Sequence, residues 1–252
     1  MKNRVAFTLP QLLVAVAVGS LLIVALLPSL QADHDTLQRA LCANNLREIG
    51  QAITMYASDN NDYFPPGYVS GAGSSDWHLI IGPYLAKSQT SYTSGGTQSP
   101  VFICPAAVLV PPAGTIITLT YTAHRWMFVD SASQCGQPPP NLPCRYLRSQ
   151  VVRPGEVAMV FDGCQQSVTD NTTFNALACC DPITDARIAY PGPGNPNQPE
   201  PAGPNADGSG SDAGFIRWRH SNNNGANFLM VDGHVNSLLV GQLLRRNLRY
   251  DP

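Results

Sequence analysis

The side chains best suited to chemistry lie near the end of this 252-residue chain, where His220 is followed by Asp232 and His234. Imidazole and carboxylate groups bind Zn²⁺ and similar ions, and they also act as general acids and bases. In the simpler interpretation, Asp232-Gly233 is a tight hairpin turn that leads into a strand at His234. His220 would then hydrogen-bond a loop. We favour this structural interpretation, and we predict no catalytic residue, no metal ligand and no cofactor.

A second arrangement is a pair of carboxylates, because Asp162 and Asp232 are each followed by glycine. Aspartate is common at turns for reasons unrelated to catalysis, so the pair is a weak indication of an active site. The sequence contains no Gly-x-Ser-x-Gly elbow, no His-Glu-x-x-His motif and no glycine-rich phosphate loop before a helix. We therefore predict that the protein is not an enzyme.

The N-terminal segment has the pattern of a membrane anchor for the rest of the chain. Lys2 and Arg4 precede an apolar run from Phe7 to Leu27, which is long enough to cross a membrane as a helix. The two cations orient such a helix with its leader in the cytoplasm and the remainder outside. The sequence predicts a single transmembrane helix over residues 7–30. A cleaved secretory signal is the alternative, although the apolar run is long for one.

The helix is expected to continue beyond the membrane as an amphipathic segment over residues 31–58. Apolar side chains recur there at intervals of three or four residues, with charged residues between them. Turn-forming residues at 58–62 and the Pro65-Pro66-Gly67 sequence then end the pattern. We predict one continuous helix from about Phe7 to Ala57.

Residues 59–252 predict a globular α+β head. The strand candidates, which are rich in β-branched or aromatic residues, are Val101–Ile103, Thr115–Ala123, Val157–Phe161, Asn227–Val231 and Val235–Val240. Short helices are predicted over Asp76–Leu85 and Gln242–Leu248. Loops near 134–143 and 191–214 are rich in proline, glycine and polar residues and are predicted to lack regular structure.

The chain contains seven cysteines. Because its head is expected to face an oxidising compartment, these cysteines predict disulfides. Cys135 and Cys144 are the first candidate pair, because together they would close the proline-rich loop. Cys164 with Cys179 or Cys180 is the second. The odd number leaves one thiol over, and Cys42 on the helix is the candidate for it. Cys-x-x-Cys spacing is absent from the sequence, which argues against structural zinc.

The charge of the chain excludes one class of partner. The formal net charge is −2, and the basic residues are scattered rather than gathered in a stripe. Binding to the phosphate backbone of a nucleic acid depends on clustered Lys and Arg side chains. We therefore expect no nucleic-acid partner.

The first residues resemble a type IV prepilin leader, which is a short cationic stub, a small residue at the cut, and then phenylalanine and an apolar helix. The resemblance implies that a prepilin peptidase cleaves after Ala6 and methylates Phe7. The family usually has glycine before the cut and glutamate at the fifth mature position. Here Ala6 and Gln11 occupy those places, and Gln11 offers a hydrogen bond but no charge.

The head resembles a large prepilin-type family found in planctomycete-like bacteria, through Arg219-His220 and the segment Gly225–Val235, which contains Asp232, Gly233 and His234. Further segments agree with that family, namely Asp59–Pro66, Phe102–Pro105, Arg153–Glu156 and Asp162–Gly163. The loop between His220 and Asp232 is longer here than is usual in the family, because of the run Asn222–Asn224.

These resemblances imply a pilin-like fold, in which a long N-terminal helix packs on an antiparallel β-sheet head. They imply a structural subunit of a type IV pilus or a type II secretion-like filament. Its expected partners are prepilin peptidase, other pilin-like subunits and the bacterial cytoplasmic membrane, and its final location includes an extracellular filament. The alternative is a membrane-tethered extracytoplasmic binding module that does not polymerise. The aromatic residues Trp77, Tyr92, Trp126 and Trp218 are the candidate contacts of such a module.

Overall fold

The structure is a computed structural model that describes residues 8–69, 75–85, 99–107, 119–124, 127–128, 146–164, 195–200, 203, 205 and 216–248. At 21–33, 68–69 and 75–76 it describes the backbone alone. The chain divides into two compact units, residues 1–37 and residues 38–252, and the second is called the head unit below.

Helix α1 extends from Leu9 to Asp59. At its start the Gln11 side-chain oxygen accepts a hydrogen bond from the Thr8 N–H at 3.0 Å, as the fourth residue of a capping box does. At its end Asn61 and Asp62 adopt positive φ angles of 54° and 65°, and the Asp62 N–H bonds back to the Ala57 carbonyl at 2.8 Å. The helix therefore ends two residues beyond the predicted position.

In the first unit the helix has an uncovered apolar surface. Every large apolar side chain between residues 9 and 18 is more than half exposed. None of the helices within the described ranges is both long and apolar enough to span a bilayer. The membrane-spanning assignment of residues 7–30 stays a prediction.

The short elements of the head unit are, in chain order, β1 Tyr68–Val69, β2 Ser75–Asp76, α2 Trp77–Ile81, β3 Tyr121–Ala123, β4 Ala158–Asp162, β5 Gly225–Met230 and β6 Val235–Leu239. Four of the strands form an antiparallel sheet in the order β3-β4-β5-β6. A separate two-stranded ribbon pairs β1 with β2, and it leads directly into the short helix α2.

Both faces of the central strands are buried, which explains their nearly continuous apolar sequence. On β5, Leu229 joins the core formed with α1, whereas Phe228 and Met230 join a second core that also contains Trp218. This alternation follows the two-residue period of a strand. The helix approaches β5 closely at Gly50, where an added Cβ would lie 2.9 Å from a Leu229 methyl group. The described residues thus confirm an α+β architecture with an N-terminal helix and an antiparallel sheet.

The structure corrects two of the predicted elements. Val101–Ile103 is not a strand, because Pro100–Phe102 forms a 3-10 turn that starts at the fixed φ of Pro100. The predicted C-terminal helix over Gln242–Leu248 is reduced to a 3-10 turn over Arg245–Asn247. Residues 115–118 of the predicted strand Thr115–Ala123 lie outside the described residues, and the observed strand covers Tyr121–Ala123.

Of the four aromatic residues proposed as contacts of a binding module, the structure describes two, and both are core residues. Trp77 and Trp218 have no exposed surface, and each contacts phenylalanine rings. Neither indole is therefore accessible to a ligand in this fold. Tyr92 and Trp126 lie outside the described residues.

Two buried histidines are expected to make stability depend on pH. Burial lowers the pKa of His78 and of His124 from 6.5 to about 4. Each histidine takes up its proton more readily in the unfolded chain, so its contribution is complete above pH 6.5 and is lost as the pH falls toward 4. By pH 5 the loss is on the order of 2 kcal/mol for each histidine.

Chemical denaturation of the full chain at pH 7.5 and at pH 5 measures this loss. The variant carrying His78→Phe and His124→Gln keeps ring packing at the first site and a donor for the Leu248 carbonyl at the second. Its unfolding free energy should change much less between the two pH values. An equal change in the parent and the variant would show that other groups control the acid response.

Candidate functional site

The predicted His220, Asp232 and His234 do not come together in the structure. Asp232 and Gly233 occupy the turn between β5 and β6, where Gly233 has a φ of 97°. The His234 Nδ1 lies 2.6 Å from an Asp232 carboxylate oxygen, and both side chains are about two-fifths exposed. His220, in contrast, has no exposed surface. The three residues therefore do not form one ligand set.

The Asp232 turn instead meets the turn before β4. The Asp232 N–H donates to the Pro154 carbonyl at 3.1 Å, and an added Cβ on Gly155 would lie 3.1 Å from the Asp232 carboxylate. Two segments of the family resemblance are thus neighbours in space. Asp162 lies at the opposite end of β4, so Asp162 and Asp232 do not form a carboxylate pair.

Asp162 is the centre of a set of polar side chains inside the head unit. One carboxylate oxygen, Oδ2, accepts the Asn227 N–H at 2.8 Å and lies 3.3 Å from His220 Nε2. The other oxygen lies 3.9 Å from Arg219 Nε. We call Asp162, Arg219, His220 and Asn227 the buried cluster, since at most 8% of the surface of any of them is exposed.

The loop after His220 holds its ring in place. His220 and Gly225 form an antiparallel bridge, with hydrogen bonds of 2.9 and 2.8 Å between their backbones. Within this bridge, the φ angles of Ser221, Asn222 and Asn223 are all positive. Asparagine tolerates this conformation better than most residues because its side chain bonds locally to the backbone. The longer loop is therefore accommodated at the surface, and His220 still points into the core.

A disulfide between Cys42 and Cys104 lies beside the buried cluster. Cys42 belongs to α1 and Cys104 follows the 3-10 turn at Pro100–Phe102, with their Cα atoms 4.9 Å apart. The prediction that Cys42 is the unpaired thiol was therefore wrong. His220 Nε2 lies 3.6 Å from Cys104 Sγ, so the imidazole contacts both the disulfide and the Asp162 carboxylate.

The other disulfide predictions are not tested. Cys135, Cys144, Cys179 and Cys180 lie outside the described residues. Cys164 is buried just after β4, where its Sγ lies 3.6 Å from the Ile216 carbonyl. The processing residues Ala6 and Phe7 also lie outside the described residues.

The geometry around His220 differs from that of a catalytic triad. In a triad one imidazole nitrogen faces the nucleophile, and the other faces the carboxylate that orients the ring. Here Nε2 faces both Cys104 Sγ and Asp162, and Nδ1 has no hydrogen-bond partner within the described residues. The cluster holds opposite charges in the core, where Arg219 also donates to the Gly163 carbonyl.

Tyr121 connects the cluster to α1. Burial, followed by the nearby Asp162 carboxylate, raises the pKa of Tyr121 well above its usual value of 10. The phenol therefore stays protonated and donates to the Cys42 carbonyl at 3.3 Å. Asn227 adds a second connection, because its side-chain amide donates to the Arg39 carbonyl at 3.2 Å. The site thus joins the sheet to the part of α1 that belongs to the head unit.

Position 163 has no room for a larger residue than glycine, because Thr122 of β3 packs directly against it. An added Cβ would overlap the Thr122 hydroxyl and would lie 3.1 Å from the Thr122 backbone nitrogen. We expect Gly163→Ala to lower the free energy of unfolding by about 1–3 kcal/mol. Gly155→Ala is the matched control, because its nearest neighbour is an exposed carboxylate that can move. Denaturant titration compares the two variants, and similar losses would contradict this explanation.

The partners of the residues in this site could not be predicted from the sequence. Arg219, one of the scattered basic residues, is a buried partner of Asp162. Asn227 was assigned to a strand, although a polar residue between Ala226 and Phe228 is itself a sign of a buried hydrogen bond. The pairing of Cys42 with Cys104 has no such local sign, since 62 positions separate them.

The comparisons with known proteins cover part of the chain. Residues 38–134, which are less than half of it, match the model of the family SBP_bac_10, described as a protein of unknown function (DUF1559). No curated protein and no solved structure matches the chain. The family match is consistent with a pilin-like extracytoplasmic protein. The matched region contains both cysteines of the disulfide but not Asp162 or His220.

Proposed function

We propose that this chain is a pilin-like structural subunit of the bacterial cytoplasmic membrane. A prepilin peptidase cleaves it after Ala6 and methylates Phe7. The mature subunits then associate through their N-terminal helices into a type IV pilus or a type II secretion-like filament, with their heads outside the cytoplasm. The observation that carries the proposal is α1, a single 51-residue helix whose two parts have opposite surroundings.

The part of α1 before residue 38, which belongs to the first unit, needs a partner of low polarity. Leu12, Leu13, Val14 and Val16 are each between 55% and 64% exposed, and such a run of exposed apolar side chains is unfavourable in water. Lipid hydrocarbon and the helices of neighbouring subunits are both suitable partners. Exchange between the two is favoured by close packing rather than by the hydrophobic effect, because both surroundings are apolar.

The second part of α1 is held firmly within the head unit. Leu46, Ile49 and Ile53 are fully buried there. The Asn45 side chain donates to the Ile103 carbonyl at 3.0 Å, in addition to the Tyr121 and Asn227 contacts described above. A helix built into the head in this way is suited to carrying it on a filament, and the family match over residues 38–134 supports the same class of protein.

Mass spectrometry of the native N-terminus tests the processing step. The chain is produced together with a prepilin peptidase, and production with a catalytically inactive peptidase is the control. We expect loss of residues 1–6 and one added methyl group on Phe7 only with the active enzyme. An intact Met1 with the active enzyme, or a cut near Ala32 with either enzyme, would reject the proposal.

A tethered binding module that does not polymerise is the second candidate, and Gln11 favours it. Its amide oxygen is bonded to the Thr8 N–H of its own helix, and it has no charge with which to attract the amino terminus of a neighbouring subunit. Electron microscopy of the processed parent and of Gln11→Glu separates the two candidates. Filaments of the parent support the structural subunit. A processed chain that forms filaments in neither version supports the tethered module.

A further inference from the structure

We propose that Cys42, Cys104 and His220 form a binding site for a thiophilic divalent cation, with Zn²⁺ as the reference ion, when the chain folds with these cysteines reduced. When the chain folds under oxidising conditions the same two cysteines form the disulfide instead. This inference goes beyond the proposed function, and it does not depend on filament assembly.

The positions of the three ligand atoms suit a small tetrahedral ion. Cys42 Sγ, Cys104 Sγ and His220 Nε2 all lie within 4.8 Å of one another. With Zn–S bonds of about 2.3 Å and Zn–N bonds of about 2.0 Å, a tetrahedral site separates a sulfur from a nitrogen by roughly 3.6 Å. The Cys104 Sγ to His220 Nε2 distance is 3.6 Å. Opening the disulfide allows the two sulfurs to separate by the further distance that a metal requires.

The surroundings of the three atoms also suit a cation. Two thiolates and an imidazole leave one tetrahedral position vacant, and the nearest carboxylate oxygen, Asp162 Oδ2, lies 3.3 Å from Nε2. His220 is fully buried, and its ligand atom Nε2 faces Cys104 Sγ rather than solvent. The two thiolates balance the charge of a divalent ion, and Arg219 balances Asp162. The loaded site would then bury little net charge.

Before the chain folds, a dithiol can reduce the disulfide between Cys42 and Cys104. One of its thiolates attacks a disulfide sulfur and forms a mixed disulfide, and its second thiol releases the protein cysteine. The reductant becomes a disulfide, and Cys42 and Cys104 gain two electrons and two protons. Binding of the cation then releases both thiol protons. Because neither cysteine has any exposed surface, the choice between disulfide and metal is made while the chain folds.

Metal analysis of chain folded in a reducing compartment tests this proposal. The full chain is produced by cell-free synthesis under reducing conditions with added Zn²⁺, and it is purified with a phosphine reductant that contains no thiol. To isolate the site, the other cysteines are replaced by serine, namely Cys135, Cys144, Cys164, Cys179 and Cys180. We expect one zinc per chain. After exchange into Co²⁺, the absorption bands of a tetrahedral thiolate complex should appear.

Two histidine variants show whether the site is the proposed one. His220→Ala should weaken Co²⁺ binding at least tenfold and change the visible absorption, whereas the exposed His234→Ala should bind as the parent does. Oxidised parent should bind no metal. Absence of metal from reduced parent, or equal binding by the two histidine variants, would overturn the proposal.

A further comparison covers the case in which the five-serine chain does not fold. In the otherwise native chain, Cys42→Ser should lower the zinc content by one equivalent, and Cys164→Ser should not. Equal zinc contents in these two variants would overturn the proposal in the same way.

Discussion

Replacing Cys42 and Cys104 together by serine is expected to lower the free energy of unfolding by about 4 kcal/mol. The cross-link closes a loop of 62 residues between α1 and the segment that follows the 3-10 turn at Pro100–Phe102. Restricting a loop of this length in the unfolded chain gives about 4 kcal/mol in the chain-entropy model. Equilibrium denaturation of the full chain, with the cysteines of the parent oxidised, measures the difference.

The corresponding alanine pair is the control for the chemistry of the replacement. Serine leaves two hydroxyl groups in a site that has no exposed surface, whereas alanine leaves none. If the lost cross-link is the cause, both pairs should lose a similar free energy. A loss below about 1 kcal/mol in both pairs would show that the disulfide does not stabilise the folded chain through this loop.

Asp162→Asn is expected to lower the free energy of unfolding by about 3–5 kcal/mol, because it leaves the Arg219 guanidinium in the core without its charge partner. The Arg219 side chain is 2% exposed and that of Asp162 is not exposed at all, so water cannot replace the lost interaction. An amide at this position still accepts the Asn227 N–H, and the variant therefore isolates the charge. Urea denaturation at neutral pH gives the value.

A double-mutant cycle with Arg219→Met separates this interaction from general damage to the core. We expect the double variant to lose less free energy than the sum of the two single variants, because removing both partners leaves no buried charge. Asp232→Asn is the matched control at the exposed turn, where we expect a change within about 1 kcal/mol. Additive losses in the cycle would mean that Asp162 and Arg219 do not interact.

The losses expected for the cysteine pair and for Asp162→Asn report on two parts of one arrangement. The disulfide and Tyr121 hold the part of α1 after residue 37 to the rest of the head unit, and Asp162 holds the His220 loop against β4 and β5. If both large losses are observed, the buried cluster and the disulfide together act as the connection between helix and sheet. Such a connection would serve the filament role that we propose, because forces on the head of a filament subunit reach the filament through its helix.

Several elements could be read from sequence because their signals are local. The helix ends within two residues of its predicted position, since Asn61 and Asp62 take the left-handed conformation that short polar residues tolerate. The Asp232-Gly233 turn follows from the same kind of local preference. Strand β4 was predicted as Val157–Phe161 and is observed as Ala158–Asp162, because a buried run of apolar residues marks the middle of a sheet.

The contacts of the side chains in the buried cluster could not be predicted from local sequence. His220 was grouped with Asp232 and His234 because these residues are near in sequence, yet its ring meets Asp162 and Cys104. Asp162 is 58 positions away and Cys104 is 116 positions away along the chain. Neither contact leaves a spacing that could be recognised, and the same is true of Cys42 with Cys104.

The local preferences of neighbouring residues were enough to predict the long N-terminal helix, most of the apolar strands, the turn at Asp232 and the likeness to prepilins. The burial of Arg219, the cross-link at Cys42 and the position of His220 between a disulfide and a carboxylate became known from the folded chain alone. Sheet register and helix packing select these neighbours from distant parts of the chain. Buried charges and thiols then pair with whichever groups that packing brings within a few ångströms.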